Sequence, residues 1–243
     1  MRSDEEIRKA VEKRYAEIAK RGSSCCGDQT LVQIGYREEE LEALPEPAPM
    51  GLGCGNPVQL AEIREGETVL DLGSGGGIDV FLAARQVGPS GRVIGVDLTP
   101  EMLALARRNA EQFGLENVEF RQGLIEALPL SSDSVDVILS NCVINLAPDK
   151  TAVFREAFRV LKPGGRLVIS DVVARGALPA EIKEDPELWA SCIGGALQEE
   201  EYLEAIRKAG FPVVEVLTRE GHDLGHVYSV TVRAQKPKST VTE

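Results

Sequence analysis

A short apolar strand that runs into a glycine-rich turn and then a helix is the feature that most restricts the fold of this chain. Residues 68–77 read TVLDLGSGGG, and the apolar run before the glycines predicts a buried strand. Residues 78–87 have a helical pattern, and the next apolar segment, 92–97, ends in a carboxylate at Asp97. A strand, a glycine turn, a helix and a second strand form the unit from which doubly wound sheets are built.

The same alternation of strands and helices continues beyond residue 97. The pattern predicts helices at 100–113, 149–161 and 199–209, a helical region at 178–189, and strands at 117–121, 135–140, 166–172, 213–218 and 227–234. We therefore predict an α/β fold, a doubly wound Rossmann-like sheet with an N-terminal helical arm and a C-terminal antiparallel strand pair.

Changes in composition divide the chain into four predicted parts. Residues 4–20 predict an amphipathic helix, and the glycine- and proline-rich residues 22–57 predict an irregular arm that acts as a lid. The parts are an N-terminal helix and cysteine-bearing arm at 1–60, a ligand-binding core at 61–175, a substrate cover with closing strands at 176–236, and a frayed tail at 237–243.

Charge and cysteine content restrict the partners and the compartment. The net charge of −12 disfavours nucleic acid and anionic membranes, because both are recognised by concentrated positive surfaces. The chain shows neither an apolar signal region at its start nor an apolar run of about eighteen residues. Its five cysteines, an odd number, are atypical of a secreted disulfide framework. We expect a cytoplasmic protein whose thiols are free in the resting state.

The glycine loop at 73–77 has the spacing of a nucleoside site. A dinucleotide loop follows G-x-G-x-x-G and would need glycine at position 78, where this chain has Ile78. Glycines let the backbone approach a ligand closely, and the start of the next helix offers free N–H groups. Asp97, at the end of the second strand, is placed to accept hydrogen bonds from both hydroxyls of a ribose.

Three cysteines that are remote in sequence surround this predicted site. Cys142 follows the strand at 135–140, whose carboxyl end should face the ligand, while Cys54 and Cys192 lie in glycine-rich segments on either side of the core. Thiolates bind soft, electron-rich centres, which points to a soft element as the substrate. Taken alone, Cys142 also fits a buried apolar thiol.

The other two cysteines, Cys25 and Cys26, are adjacent in the arm. They are too close in sequence to join easily to each other, but either reaches Cys54 if the arm folds back. No C-x-x-C occurs and neither histidine lies within a few residues of a cysteine, so the spacings of structural zinc sites are absent.

Residues 68–172 resemble the class I S-adenosylmethionine-dependent methyltransferases, through the run VLDLGSGGG…VIGVD…LKPGG. The resemblance implies that S-adenosylmethionine is the cofactor, with Asp71 and the glycine loop at its amino-acid end and Asp97 at its ribose. Leu98 and Met102 would lie near the adenine. The full implied set is Asp71, Gly73, Ser74, Gly75, Gly77, Asp97, Leu98, Met102, Ile125, Glu126 and Asn141.

Nearly the whole chain resembles the arsenite methyltransferases. The matching segments are the doublet at 25–26, IGY at 34–36, GLGCGNP at 51–57, SNCVINL at 140–146 and CIGGA at 192–196. The resemblance implies methylation of trivalent arsenic, as arsenite and then methylarsenite, in arsenic detoxification. Three thiolates bind the arsenic in that family, and here they would be Cys54, Cys142 and Cys192. A fourth thiol, Cys26, would form a disulfide with Cys54 on turnover, reset by an external thiol reductant (glutathione or thioredoxin).

Two other functions stay open on the sequence alone. One is a methyltransferase of a small organic acceptor, such as a quinone precursor, in which the cysteines only pack. The other is a non-catalytic metalloid-binding protein. The glycine loop and Asp97 argue against the second, because binding a metalloid needs no methyl donor.

Overall fold

A computed structural model describes residues 3–21, 31–42, 44, 53–220 and 225–239 of the chain. Within these residues, seven strands form one sheet in the order β3-β2-β1-β4-β5-β7-β6. The first five strands are parallel, and β7 is antiparallel to both of its neighbours. The strands are β1 Thr68–Leu72, β2 Arg92–Asp97, β3 Val118–Gln122, β4 Val135–Asn141, β5 Leu161–Ala174, β6 Val214–Glu220 and β7 Val227–Gln235. The predicted doubly wound sheet with an antiparallel C-terminal pair is confirmed.

Helices cover both faces of the sheet. On one face, α4 and α5 pack on β1 and β2 together with residues of the arm, and on the other face α6 and α9 pack on β4, β5 and β7. Both layers are apolar because the parallel strands are buried on both sides, as continuous apolar runs such as VLDL predict. The helices are α1 Asp4–Arg21, α2 Glu38–Glu42, α3 Pro57–Leu60, α4 Ile78–Val87, α5 Pro100–Phe113, α6 Lys150–Val160, α7 Ala180–Glu184, α8 Pro186–Ala190 and α9 Glu199–Lys208.

The first helix, α1, lies across the carboxyl edge of the sheet and contacts both α5 and α8. Its apolar side reaches in two directions. Ile18 packs on Met102 and Leu105 of α5, and Val11 joins the cluster that contains Cys142 and Cys192. The amphipathic helix predicted at 4–20 therefore spans two regions that are remote in sequence.

The region predicted as one helical cover at 178–189 is two short helices. Asp185 ends the first and caps the second, because its side chain accepts hydrogen bonds from the N–H groups of Glu187 and Leu188. Pro186 stands at the first position of α8, where its missing N–H has no consequence. The late strands extend the main sheet through β7, so this part of the chain both covers the edge and completes the core.

Among the described residues, none of the helices combines the length and the apolar composition that crossing a membrane requires.

Candidate functional site

A cleft opens at the carboxyl ends of β1, β2 and β4, where a doubly wound sheet binds its ligand. Its empty volume is about 1170 Å³, including the open mouth. Nine of the residues predicted to bind a cofactor line it: Asp71, Gly73, Ser74, Gly75, Asp97, Leu98, Ile125, Glu126 and Asn141. Their contact with a cofactor stays a prediction, but the fold brings them to one wall.

The glycine loop forms the floor of this cleft. The N–H groups of Gly73 and Ser74 both donate to the carbonyl of Val96 at 2.8 and 3.1 Å, which folds the loop back onto β2. Gly73 has φ +67°, and a side chain there would collide with Val143. The hydroxyl of Ser74 is buried and has no hydrogen-bond partner among the described residues. A buried hydroxyl of this kind needs a partner, and a polar ligand in the cleft would supply one.

Three aspartates, Asp71, Asp79 and Asp97, give the cleft a negative wall. Burial raises the pKa of Asp79 to about 6, against hydrogen bonds from Tyr36 and Asn141 that lower it. Burial also raises the pKa of Asp71 well above its usual range, and the nearby Asp79 adds to the effect. Among the described residues that line the cleft, Arg8 is the one cation, and it is paired with Glu126 at 2.9 Å. The aspartates therefore favour a ligand that carries its own positive charge.

Asp97 is held rigidly at the end of β2. Its two carboxylate oxygens accept the N–H groups of Thr99 at 2.8 Å and Gly75 at 2.9 Å. Burial raises the pKa of Asp97, and these hydrogen bonds oppose the rise. Each oxygen keeps a second lone pair, so the carboxylate fits the predicted role of accepting from two ribose hydroxyls.

The predicted arsenic-binding cysteines meet beside the same cleft. Cys142 and Cys192 line the cleft and are only 8% and 4% exposed, and the thiol of Cys192 donates to the carbonyl of Cys142 at 2.6 Å. Cys54 is half-buried and its Cα lies 5.6 Å from that of Cys142. Three segments separated by about 90 and 50 residues in the chain are thus brought together.

The expectation that all thiols are free at rest is wrong for two of them, because Cys54 and Cys142 form a disulfide. The geometry around Asn141 explains the pairing. Asn141 directly precedes Cys142, and its side-chain oxygen accepts the N–H of Cys54 at 2.9 Å. The predicted partner of Cys54, Cys26, lies outside the described residues, as does Cys25. Cys192 is the cysteine of the described residues that takes no part in a disulfide.

The backbone is left-handed at both cysteines that line the cleft. The φ angles are +59° at Cys142 and +67° at Cys192, a region that residues other than glycine seldom adopt. Hydrogen bonds hold both turns, from the N–H of Cys142 to Ser170 O at 2.8 Å and from the N–H of Cys192 to Trp189 O at 2.9 Å. Such conformations cost about 1–3 kcal/mol each and concentrate at functional sites.

Two predicted cofactor residues lie behind the wall of the cleft. Gly77 caps the start of α4. A side chain at this position would collide with Phe81, so glycine is required there by the packing of the helix. Met102 is fully buried between α5 and α1, because the phase of α5 turns it toward Ile18. Neither residue lines the cleft, and their contact with a cofactor stays a prediction.

Sequence reasoning named Tyr36 only within the segment at 34–36 and missed Asp79. Tyr36 from the arm and Asp79 from the first turn of α4 line the cleft and are hydrogen-bonded at 2.7 Å. The one signal for Asp79 was its position a single turn beyond the glycine loop. Helix α1 also contributes Arg8, Val11 and Tyr15 to the wall.

No group of three histidine, cysteine or acidic side chains is arranged as a resident metal site in the part of the chain that the structure describes. Two of the clustered cysteines, Cys142 and Cys192, instead line the same cleft as the glycine loop and the aspartates.

Known proteins similar to this chain include several arsenite methyltransferases. The family described as "Methyltransferase domain" matches residues 63–210. The arsenite methyltransferase of Halobacterium salinarum is 43% identical over 97% of this chain and 68% of its own length. The arsenite methyltransferase of Aquipseudomonas alcaligenes is 41% identical over 84% of this chain, which spans only 62% of that protein's length. A crystal structure of an arsenic(III) S-adenosylmethionine methyltransferase from Chlamydomonas reinhardtii is similar with a TM-score of 0.68 and 37% identity, covering 84% of this chain and 71% of that one.

Proposed function

This chain belongs to the arsenite methyltransferases, a branch of the methyltransferase-domain family, and we propose that it methylates trivalent arsenic with S-adenosylmethionine as the methyl donor. The observation that carries the proposal is the shared cleft. Cys142 and Cys192 line the same cleft as the glycine loop and Asp97. A donor and a thiol-bound acceptor would therefore occupy one cleft without a change of fold.

The residues of the cleft fit S-adenosylmethionine, which when bound supplies an electrophilic methyl group. The negative wall suits its ammonium and sulfonium charges, and Asp97 suits its ribose. The unpartnered hydroxyl of Ser74 lies in the glycine loop, where it has a donor and acceptor to offer the amino-acid end. The polar requirements of the cofactor and of the cleft are thus complementary.

The proposed acceptor site consists of Cys54, Cys142 and Cys192. Three sulfurs leave trivalent arsenic pyramidal, with its lone pair on the open side. The described cysteines approach from one side of the cleft, so that open side would face the donor. No general base is required, because arsenic carries no proton, and holding the two groups in place contributes about 7–11 kcal/mol in favourable cases.

Arsenic binding by all three sulfurs first requires reduction of the Cys54–Cys142 disulfide. Two electrons and two protons from an external thiol pair, such as two glutathiones or one thioredoxin, convert the disulfide to two thiols, and the donor becomes a disulfide. Transfer of the methyl group to the arsenic lone pair raises arsenic to the pentavalent level. We propose that Cys54 and Cys26 then return two electrons to it, release two protons and form the disulfide of turnover, which leaves the methylated arsenic trivalent. A reducing compartment such as the cytoplasm suits this requirement.

Release of S-adenosylhomocysteine on addition of arsenite tests the proposed function. The pre-reduced chain is mixed with S-adenosylmethionine and arsenite, and both S-adenosylhomocysteine and methylated arsenic are quantified. We expect both products from the wild type, and a loss of about 100-fold or more in Cys142→Ser and Cys192→Ser because a three-sulfur site loses a ligand. Ser191→Ala is the matched control, since it changes the neighbouring side chain and keeps every thiol.

Three outcomes would overturn the proposal. Arsenite that binds without product formation would indicate a metalloid-binding protein. A wild type that methylates a small quinone precursor but not arsenite would indicate the organic-acceptor enzyme. Full activity in both serine variants would show that Cys142 and Cys192 are not ligands in the acceptor site.

A further inference from the structure

A continuous set of hydrogen bonds joins the negative wall of the cleft to the segment that carries Cys54. The hydroxyl of Tyr36 donates to Asp79 Oδ1 at 2.7 Å. The amide nitrogen of Asn141 donates to that hydroxyl at 2.9 Å and to the carbonyl of Gly55 at 2.7 Å. The amide oxygen of Asn141 accepts the N–H of Cys54 at 2.9 Å. One chain of contacts therefore links a cleft carboxylate to the backbone on both sides of the Cys54 side chain.

The two ends of this set face different ligands of the proposed reaction. Asp79 lies in the cleft beside Asp71, at the end where the ammonium of the cofactor is expected. Cys54 is a proposed arsenic ligand. Tyr36 lies between them and is only 2% exposed, so water does not compete for its hydroxyl. Asn141 also approaches Asp79 Oδ2 at 3.3 Å, which closes the set into a small network.

Charge on Asp79 determines how strongly this network is held. Burial favours the neutral carboxyl and raises the pKa of Asp79 to about 6. An ammonium beside it favours the carboxylate, and a hydroxyl bonds more strongly to a charged acceptor than to a neutral one. A cofactor with an amino-acid end would therefore tighten the bond from Tyr36, which in turn fixes the amide of Asn141.

We propose that Tyr36, Asp79 and Asn141 form a relay through which the amino-acid end of the cofactor orders the Cys54 segment, so that cofactor and arsenite bind cooperatively. This inference rests on the proposed function, since it assigns a coupling between the two ligands of that reaction. Tyr36 acts in it as a positioning residue. Its ring packs with Leu31 and Ile34 in the apolar layer, and only its hydroxyl enters the relay.

The test measures arsenite binding by titration calorimetry with three states of the pre-reduced full chain. These are the chain alone, the chain saturated with S-adenosylhomocysteine, and the chain saturated with 5′-methylthioadenosine, which lacks the amino-acid end. Neither nucleoside carries a transferable methyl on a sulfonium, so no turnover disturbs the titration. We expect S-adenosylhomocysteine to tighten arsenite binding about tenfold, within the usual range of coupling between sites, and methylthioadenosine to leave it within about twofold.

The variant Tyr36→Phe removes the hydroxyl and keeps the ring. We expect the effect of S-adenosylhomocysteine on arsenite binding to fall below about twofold, measured as the ratio of the variant's own arsenite affinities with and without the nucleoside. Tyr202→Phe is the matched control. Tyr202 is another fully buried tyrosine whose hydroxyl donates to a buried aspartate, Asp171 at 3.3 Å, but it does not line the cleft. It should keep the full coupling.

The results separate this inference from the proposed function. A wild type that fails to bind arsenite at all contradicts the proposed function. A wild type that binds both ligands independently, or equal coupling with both nucleosides, overturns the relay and leaves the function standing. Coupling that persists in a folded Tyr36→Phe protein also overturns it, and the comparison of the two nucleosides on the wild type needs no variant to fold.

Discussion

At Gly55 the backbone packs so closely on β5 that no side chain fits. A Cβ at this position would lie 2.7 Å from Ser170 Oγ and 2.8 Å from Ser170 Cβ. The carbonyl of the same serine accepts the N–H of Cys142. Ser170 therefore sets the positions of both partners of the disulfide, one by contact and one by a hydrogen bond.

Replacing this glycine should affect stability and the thiol site together. In Gly55→Ala the added methyl has to displace Ser170, and we expect the free energy of unfolding to fall by about 1–3 kcal/mol, as is usual for overpacking. Arsenite methylation should fall as well. Gly176→Ala is the control, because no atom lies within 4 Å of the added Cβ there. Urea unfolding measures the stability of both variants. Equal stabilities of Gly55→Ala and Gly176→Ala would contradict the close approach of Gly55 to Ser170.

Residue identity predicted the cysteine cluster but not the network behind it. Glycines on both sides of Cys54 and the place of Cys142 after a strand were visible in the sequence. The hydrogen bond between Tyr36 and Asp79 was not, because it joins residues 43 positions apart that meet only after the chain has folded. The packing of Met102 against α1 was not visible for a related reason, since the sequence does not determine which turn of α5 meets α1.

Among the elements, α1 has the greatest influence on access to the cleft. It reaches from α5, on the side of the predicted adenine site, to α8, which precedes Cys192. Arg8 fixes its first half by an ion pair to Glu126, a residue that is only 9% exposed at its side chain. Periodicity predicted the helix correctly, but its partners on the two sides of the cleft depend on tertiary contacts that periodicity does not contain.

Breaking the ion pair of Arg8 should speed the release of a bound nucleoside. We expect Arg8→Ala to raise the dissociation rate of S-adenosylhomocysteine about threefold, consistent with the roughly 0.2–1 kcal/mol of a single ion pair. Lys20→Ala breaks a bridge from the last turn of α1 to Glu101 of α5, which does not line the cleft, and should leave the rate unchanged. Stopped-flow displacement gives both rates. Equal dissociation rates in the two variants would show that the ion pair between Arg8 and Glu126 has no specific effect on ligand release.

For the whole molecule, the disulfide between Cys54 and Cys142 closes a loop of 88 residues that contains the first four strands. Alternating strands and helices predicted these strands and their parallel arrangement. The sequence did not predict that β7 inserts between β5 and β6, because that order depends on pairing between residues more than 50 positions apart, such as Ser170 and Thr231.

Reduction of this disulfide should lower global stability. A cross-link over a long loop restricts the unfolded chain, and we expect the free energy of unfolding to fall by about 2–4 kcal/mol on reduction. The difference should disappear in Cys54→Ser and persist in Cys192→Ser, which retains the cross-link. Urea titrations with and without reductant measure it. Arsenite should restore part of the loss in the reduced wild type, because a ligand that binds only the folded state stabilises it.

The left-handed turn at Cys192 sets the demands of heat resistance against those of chemistry. Glycine is the residue that such a turn tolerates most easily, so a mutant library screened for thermal tolerance alone should accumulate glycine at Cys192, whereas the cross-link to Cys54 should retain Cys142. The survivors would be sturdier proteins with an intact nucleoside pocket and one sulfur fewer for a metalloid. Selection for robustness in this scaffold therefore has to be run together with selection for turnover.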